Sequence, residues 1–538
     1  MAQTLAASHP GHLDPLELDI LNRRDAFGLP DREICDALIE IFFKWVAPIL
    51  PVVNRHDFMR RYHDPANQPS ILLLQAIFTV ASRFFTDNPC SGNAASTPRA
   101  FYKKAKALYD AGYEQDTIAV IQAVILLGLY WDGLDDLVEN GIFYWSRLGT
   151  ALAQAEGLHQ SETYVDLEPS ESSLRKRIWW TLYTRDRSVA AAFGRPIHIN
   201  TDDCTVGELT EADFVERDEH LQLEYPIDVT YARFFIEYVK LCQLMDLGLC
   251  LKLSSRSTQD SRNAEAAQCE LGLNEWLVSC PAELHWRQGR HSFLPAVLFS
   301  QFYTIVCQLQ LLQEPYSSSE SQRSAFNAAS TVISILETLQ SHGELRYAPS
   351  FTICHAVVSF VTLKNQMSAS VPSLLHAIRL KLDANLELLE TLSKTWPIAR
   401  FLVELFNTMS TPEQFSRLLT AAVEECQKRA RGDPDSSVSG PRSSGPFRRP
   451  KIQQVVLPQS RVILQILACE SQRRQSPLSQ PPCMDSTTES SDHRPENTAQ
   501  EEIDGLAATI EDCEPTAILR NLQRIIDVGK SAARGADE

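Results

Sequence analysis

The string of residues with the most enzyme-like spacing is acidic. Asp135 and Asp136 stand together, and Glu139 follows them about one helical turn later. Carboxylates on one helical turn can hold Mg²⁺ against a diphosphate, because hard cations prefer oxygen ligands. No second metal motif accompanies the string, and Asp132-Gly133, directly before it, is typical of a helix end. We therefore interpret the string as a solvated loop between helices, with metal binding as the less favoured alternative.

Motifs for other kinds of catalysis are missing from the sequence. It contains no Gly-rich phosphate-binding loop, no His-Glu-x-x-His and no Gly-x-Ser-x-Gly. The 13 histidines are dispersed, and no two of the 13 cysteines have the Cys-x-x-Cys spacing of common zinc sites. The sequence therefore predicts no catalytic, cofactor-binding or metal-binding residues, and a protein that is not an enzyme.

Charge and cysteine usage bound the partners and the compartment. With 50 Lys and Arg against 68 Asp and Glu, the net charge of −18 argues against direct phosphate binding, which needs clustered positive charge. The odd number of cysteines favours a reducing compartment without a disulfide framework. No secretory signal is visible. Polar residues interrupt the longest apolar stretches, 71–85 and 294–312, so we expect buried helices and no membrane contact.

Two short basic clusters stand out in this acidic background. Such clusters suit the acidic grooves of nuclear import receptors, which predicts a location in the nucleus. An equally good interpretation of the first cluster is a helix C-terminus whose basic residues match the helix dipole. The residues are Lys428, Arg429 and Arg431 in the first cluster, and Arg448, Arg449 and Lys451 in the second.

Apolar residues recur at spacings of three and four along most of the chain, which is the period of α-helices. The stripe from Ile34 to Phe42 is one example, and Gly and Pro fall mostly between such stripes. Alternating, strand-like patterns are scarce. The sequence predicts an all-α protein, with a single large multi-helix domain over residues 16–430 after a disordered N-terminus at 1–15.

Composition changes beyond this helical region. Ser and Pro fill 21 of the 70 positions in residues 431–500, too many for a packed core, which predicts a disordered, low-complexity linker. Residues 501–530 are predicted to form an acidic segment with an amphipathic helix, because Ile518, Leu522 and Ile525 lie on one face. Acidic-hydrophobic segments can fold on binding as a helix in a partner's groove.

Residues 175–196 carry the most informative pattern in the chain. They read Arg-Lys-Arg-Ile-Trp-Trp-Thr-Leu-Tyr-Thr-Arg-Asp-Arg, then a run of mostly small residues, then Gly-Arg-Pro. The pattern resembles the signature of the fungal-specific transcription factor domain, the middle homology region of Zn₂Cys₆ binuclear-cluster regulators. The residues that fall on the signature are Arg177, Trp179, Trp180, Tyr183, Asp186, Arg187, Gly194, Arg195 and Pro196.

Other segments resemble the same family in the same order. The turn Pro48-Ile-Leu-Pro-Val-Val-Asn follows the family's entry helix, and Trp145 to His159 match its W-x3-G-x3-A-x3-G-L-H helix. Leu345-Arg-Tyr-Ala-Pro-Ser-Phe is similar to a segment of the cutinase-transcription-factor type. The resemblance covers about residues 20 to 415, and it implies a helical regulatory domain.

The signature has an architectural interpretation. Trp179 and Trp180 offer large areas for burial, so we expect the signature to hold the fold and to bind nothing directly. Arg187 directly follows Asp186, and we expect the ion-pair partners of both to come from elsewhere, because helical neighbours pair at spacings of three and four. Small residues at steps of four are expected to let another helix approach closely; they are Gly149, Ala153 and Gly157.

The sequence departs from the family in one respect. The family's regulators usually carry six cysteines that bind two zinc ions ahead of this domain. Only about twenty residues precede the match here, and none of them is Cys. We therefore expect no cofactor in this chain, zinc only if an upstream cysteine cluster is missing, and DNA contact only through a missing or partner module.

These observations are compatible with three functions. The first is a nuclear transcription regulator whose body senses an effector and controls a metabolic gene set, with the transcription machinery or coregulators as partners. The second is a partner of an intact zinc-cluster regulator that touches no DNA itself, and both homodimers and heterodimers stay open. The third and least favoured is an all-α, Mg²⁺-dependent enzyme similar to isoprenoid synthases, which would use Asp135, Asp136 and Glu139.

Overall fold

The computed structural model describes eight stretches of the chain: residues 13–85, 97–130, 141–193, 196–216, 228–253, 259–312, 319–367 and 372–408. Within them the chain forms α-helices and short 3-10 and π turns, without a β-strand. The prediction of an all-α fold is therefore confirmed. The predicted linker and the acidic segment beyond it lie outside the described residues.

The first half of the fold contains eight α-helices and a π-helical turn that continues the second of them. The helices are α1 (Pro15–Arg23), α2 (Arg32–Ile41), α3 (Arg55–His63), α4 (Ile71–Ala81), α5 (Pro98–Asp110), α6 (Thr117–Leu127), α7 (Ile142–Ala155) and α8 (Pro169–Phe193), with the π-helix at Phe42–Val46.

The second half contains seven more α-helices and two short 3-10 helices among the described residues. The α-helices are α9 (Val229–Leu253), α10 (Gln259–Ser279), α11 (Phe293–Leu312), α12 (Ser319–Ser341), α13 (Thr352–Gln366), α14 (Pro372–Ser393) and α15 (Ile398–Thr408), and the 3-10 helices are Ala282–Leu284 and Leu345–Tyr347.

Helix α4 lies at the centre of the first half, where it packs against α2, α5 and α6. Its start follows from Ser70, whose hydroxyl accepts a hydrogen bond from the Leu73 amide at 3.3 Å. All of its residues are buried. The amide nitrogen of its Gln75 side chain donates to the carbonyls of Ala26 and Gly28 at 3.1 Å each, which ties α4 to the segment after α1, whereas Oε1 of Gln75 has no hydrogen-bond partner among the described residues.

Helix α11 has the corresponding place in the second half, between α9, α12 and α13. By length and composition alone, its segment Phe293–Leu311 could cross a membrane, but most of the segment is buried inside the fold. Burial among other helices is the position expected of a core helix. The apolar stretch at 294–312 is therefore a core helix in this structure.

The two halves share one core. A contiguous cluster of buried apolar side chains extends from Leu21 to Phe406. Helix α8 packs against α9, and the Trp45 ring lies flat on Tyr347, with 4.1 Å between ring centres. Contacts of this kind agree with a single multi-helix domain in the described residues, while its predicted end at residue 430 stays a prediction.

The expectation of close helix approach holds at Gly149 and is wrong at Gly157. A Cβ on Gly149 would lie 3.0 Å from Cδ2 of Leu182 on α8, so the glycine lets α7 and α8 meet. Gly157 follows the end of α7 with φ +72°, a left-handed conformation that favours glycine. A Cβ there would meet Thr163 at 2.5 Å, so Gly157 serves a turn and not helix packing.

Candidate ligand site beside the signature helix

Helix α8 carries most of the signature and is called the signature helix below. Its aromatic residues are in the core: Trp179 and Tyr183 are each 1% exposed. The Trp180 indole donates to the carbonyl of Gly207 at 3.0 Å, so its polar atom is satisfied as well. These positions show that the aromatic residues are part of the core. The expectation that the signature binds nothing directly stays a prediction.

Arg187 lies at the centre of a buried ion network. Its guanidinium donates to Asp186 at 3.0 Å, to Asp246 at 2.7 Å and to the Ile199 carbonyl at 2.8 Å, and it covers the Tyr183 ring at 4.0 Å. Burial alone would lower the pKa of Arg187, but Tyr183 and the two carboxylates raise it above its ordinary value. The charge is fully compensated.

The expectation about Asp186 and Arg187 was wrong in one respect, because the two adjacent residues do pair. The arginine side chain is long enough to bring its guanidinium to a carboxylate one residue back. Asp186 also accepts hydrogen bonds from the amides of His198 and Ile199, at 2.8 and 2.9 Å. It thereby fixes the extended segment that follows the signature helix, in which Pro196 is exposed.

Arg177 ties the other end of the signature helix to α3. It donates to the side chain of Asn54 and lies near Glu216. The carboxylate of Glu216 accepts from the amides of Arg55 and His56 at 2.6 and 2.7 Å. A residue distant in sequence therefore caps α3, whose own Asn54 makes no side-chain cap. Burial raises the pKa of Glu216, and Arg177 partly offsets this.

Arg185 differs from its neighbours on the same helix. It is 7% exposed, and its only hydrogen bond to a described residue is a long one, 3.4 Å, to the carbonyl of Gly128. No carboxylate of the described residues pairs with it. Burial lowers its pKa to about 10, so the group remains charged at neutral pH. This is a buried cation whose remaining donors have no protein acceptor in the described part of the chain.

The guanidinium of Arg185 forms part of the wall of a cavity. The cavity holds about 30 Å³ that the centres of water-sized spheres can occupy, within about 460 Å³ of empty space that includes its mouth. Aromatic side chains from both halves of the fold form much of the wall; they include Trp45, Phe84, Tyr238, Tyr347, Phe351 and Trp396.

The described lining is mostly apolar. None of the described residues that line the cavity is Asp, Glu, His or Cys, so they offer no carboxylate, imidazole or thiol. Polar groups are few, and one of them is the hydroxyl of Thr184, which already donates to the Thr181 carbonyl. The main polar feature of the described lining is therefore the positive charge of Arg185, which lies among aromatic rings.

The described residues offer no cluster of metal ligands. No three His, Cys, Asp or Glu side chains there lie close enough together to hold a metal ion. The described cysteines are free thiols that are buried or half-buried, and they do not fit a zinc cluster. No step is therefore assigned to zinc, and the expectation that this chain carries no cofactor stays a prediction.

Several predicted site residues lie outside the described residues. They include the acidic string with Asp135, Asp136 and Glu139, the signature residues Gly194 and Arg195, and both basic clusters. Of the signature residues that are described, all except Pro196 are buried.

Comparison with known proteins agrees with the signature. Residues 39–292 match the model of the fungal specific transcription factor domain. Over 410 residues the chain is 42% identical to Cutinase transcription factor 1 alpha of Fusarium vanettenii, an alignment that covers 74% of this chain and 45% of that protein. The chain contains a fungal specific transcription factor domain.

More distant relatives carry the same kind of description. The Acetamidase regulatory protein of Aspergillus fumigatus is 26% identical over 409 residues, which cover 74% of this chain and 51% of that protein. Transcription factor cpaR of Aspergillus oryzae is 31% identical over 255 residues, which cover 44% of this chain and 42% of that protein. The chain thus spans about half the length of the curated relatives it matches. No solved structure matches it significantly.

The fungal specific transcription factor domain contains only part of the cavity. The matched residues end at 292, directly before α11. Arg185 and Trp45 lie within them, whereas Tyr347 and Trp396 lie beyond them. The sequence pattern did not single out Arg185 as a site residue. Its lack of a paired carboxylate among the described residues could not be predicted, because its surroundings include residues far away in the chain.

Proposed function

We propose that this chain is the regulatory body of a transcription regulator that senses an effector and controls a metabolic gene set. The observation that carries the proposal is the match of residues 39–292 to the domain family, together with the 410-residue alignment with Cutinase transcription factor 1 alpha. The relatives are described as transcription regulators, which does not favour an enzyme such as the synthase alternative. We propose that this chain is not an enzyme. Its partners are the transcription machinery or coregulators.

The proposal needs a source of DNA contact. With a net charge of −18, the chain is poorly suited to hold DNA alone. We infer that DNA contact comes from a zinc-cluster module outside this sequence or from a partner protein, in a homodimer or a heterodimer. A gel-shift assay with the purified chain tests this inference. Sequence-specific binding by the chain alone would contradict it.

A tethered reporter tests the regulatory role directly. The full chain is fused to a heterologous DNA-binding domain in a fungal host that carries the matching reporter gene. We expect reporter output to rise or fall at least severalfold relative to the DNA-binding domain alone. Unchanged output from a fusion that is expressed and nuclear would overturn the proposal. A second fusion, of residues 485–530, tests whether the acidic segment contributes.

The proposal also places the protein in the nucleus. Fluorescent fusions of the full chain would report its location, and alanine variants of the two basic clusters, separately and together, would show whether either cluster directs import. A cytoplasmic wild-type fusion would contradict the proposed location. Nuclear entry of the combined variant would contradict the role of the six basic residues.

A further inference from the structure

We propose that the cavity beside the signature helix binds a small organic monocarboxylate, with the carboxylate on Arg185 and an apolar body between the aromatic rings. The regulatory meaning of such binding rests on the proposed function, whereas the binding site itself does not.

The charge of Arg185 is buried without a paired carboxylate among the described residues. Burying a cation without a partner costs free energy, and an anion that binds beside it offsets part of that cost. Arg185 makes one long hydrogen bond, 3.4 Å, to the carbonyl of Gly128 at the C-terminal end of α6. That helix end attracts a cation, but it occupies one of five donors. The planar guanidinium fork matches a carboxylate in two parallel hydrogen bonds.

The lining of the cavity sets the number of charges that a ligand can carry. Arg185 is the only charged residue among those that line the described cavity. A second guanidinium, that of Arg83, lies 4.7 Å from the ring centre of Trp396, but it donates to the Thr395 carbonyl and does not line the cavity. A dianion such as a phosphate would leave one charge uncompensated among aromatic rings. A ligand with one negative charge would match the single positive charge of Arg185.

The wall of the cavity is broad, aromatic and mostly apolar. Trp45 and Tyr347 lie parallel at 4.1 Å, and Tyr238 and Phe351 are stacked at 5.5 Å. Broad apolar surfaces of this kind bury a planar ring or a short alkyl chain and offer such a body few hydrogen bonds. The empty space of about 460 Å³ includes open solvent at the mouth, and only about 30 Å³ of it admits the centre of a water-sized sphere, so the site can take no more than one small molecule.

The position of the cavity gives binding a structural consequence. Arg185 belongs to the first half of the fold, whereas Tyr347 and Trp396 belong to the second half. A ligand held by both would stabilise their arrangement relative to each other. A small acid would therefore bias the contact between the halves, which is what an effector-sensing domain requires.

The test is a paired binding experiment on the purified full chain. Benzoate, phenylacetate and hexanoate are titrated by calorimetry at neutral pH, each beside its uncharged amide. We expect saturable binding of at least one acid, and binding of its amide that is about tenfold weaker or worse, because the amide cannot form a charge-assisted pair. No binding by any of the acids, or equal binding by acid and amide, would overturn the proposal.

Variants locate the site. Arg185→Met should weaken binding of the acid at least about tenfold, and Arg185→Lys should restore only part of it, because an ammonium lacks the planar fork. Arg379→Met, which removes an exposed arginine on α14, should leave binding unchanged. Circular dichroism and gel filtration confirm that each variant is folded. Undiminished binding by folded Arg185→Met would overturn the proposal.

Failure of the site and failure of the proposed function are distinguishable. Binding is measured on the purified chain, whereas regulation is measured by the tethered reporter. An active reporter without acid binding would reject this site and leave the regulatory role standing. Acid binding by a chain that is silent in the reporter would support the site and reject the role.

Discussion

Arg187 and Arg185 lie two residues apart on one helix, and the structure treats their charges in opposite ways. On one side of the signature helix, Arg187 contacts two carboxylates, a carbonyl and an aromatic ring. On the other side, Arg185 makes a single long hydrogen bond to the residues that the structure describes, and it lines a cavity. A spacing of two residues turns a side chain by about 200° around an α-helix, so the two arginines face different surroundings.

The difference separates two uses of a buried charge. The network around Arg187 joins the signature helix, α9 and the segment at 198–199, so it specifies the architecture. At the cavity, no described residue compensates the charge of Arg185, and such positions are candidates for binding sites because a ligand can supply the missing partner. The family signature includes Asp186 and Arg187 of the first region. Arg185, which lies at the second region, is not one of the signature residues.

Removing the shared carboxylate should give the largest effect. Asp186→Ala leaves Arg187 without its adjacent partner and two backbone amides without an acceptor. We expect a loss of about 3–5 kcal/mol in the free energy of unfolding, measured by urea denaturation. The matched control is Asp202→Ala, which removes an exposed acid nearby and should cost no more than about 0.5 kcal/mol. Similar losses in both variants would break the comparison.

A buried histidine shows a third treatment, in which the group stays neutral. His355 on α13 lies 2.9 Å from the Ser300 hydroxyl and 2.9 Å from Oε1 of Gln301, and burial lowers its pKa to about 3. Its ordinary pKa is about 6.5, so the folded state binds fewer protons than the unfolded state below that pH. The stabilisation is complete above pH 6.5 and is lost as the pH falls.

The predicted size of this effect is about 1.4 kcal/mol for each pH unit below 6.5, or about 2 kcal/mol at pH 5. Unfolding free energies of the wild type and of His355→Gln, measured at pH 7, 6 and 5, isolate the contribution of this side chain. The variant should be less stable at pH 7 but should lose less on acidification. Parallel pH profiles would show that His355 is not held neutral in the fold.

The outer carboxylate of the network should matter less than the inner one. The side chain of Asp246 is 18% exposed, whereas that of Asp186 is 5% exposed. In Asp246→Asn, Arg187 keeps Asp186 and the Ile199 carbonyl, so we expect a loss of about 1–2 kcal/mol in urea denaturation. A loss as large as that of Asp186→Ala would mean that both carboxylates are needed to hold the segment at 198–199 in place.

Replacing the uncompensated arginine should have the smallest effect on stability. Arg185→Met removes an unpaired buried charge and keeps much of its apolar bulk, so we expect a change within about 1 kcal/mol, towards higher stability. Urea denaturation without added acid measures it. A loss comparable to that of Asp186→Ala would mean that a group outside the described residues pairs with Arg185. The cavity would then have no free cation to offer.

The sequence predicted the features that depend on local pattern. Helical spacing predicted the all-α fold, and the signature predicted burial of Trp179, Trp180 and Tyr183. It did not predict the pairing of Asp186 with Arg187, because pair rules for exposed helix surfaces do not describe a side chain that curls back inside a core. The cavity could not be predicted either, because its wall joins residues as far apart as Trp45 and Trp396.

The place where the family match ends has a consequence for how such proteins could diverge. The family model ends at residue 292, but a single core extends across that point, since the cavity takes its arginine from before it and part of its aromatic wall from after it. A fragment cut at that point would expose the inner faces of both pieces. A chimera that keeps residues up to 292 and takes the later helices from a relative would retain the anchoring charge and change the ring surfaces around it. Preference among acids could therefore drift by recombination, while the anchor stays where it is.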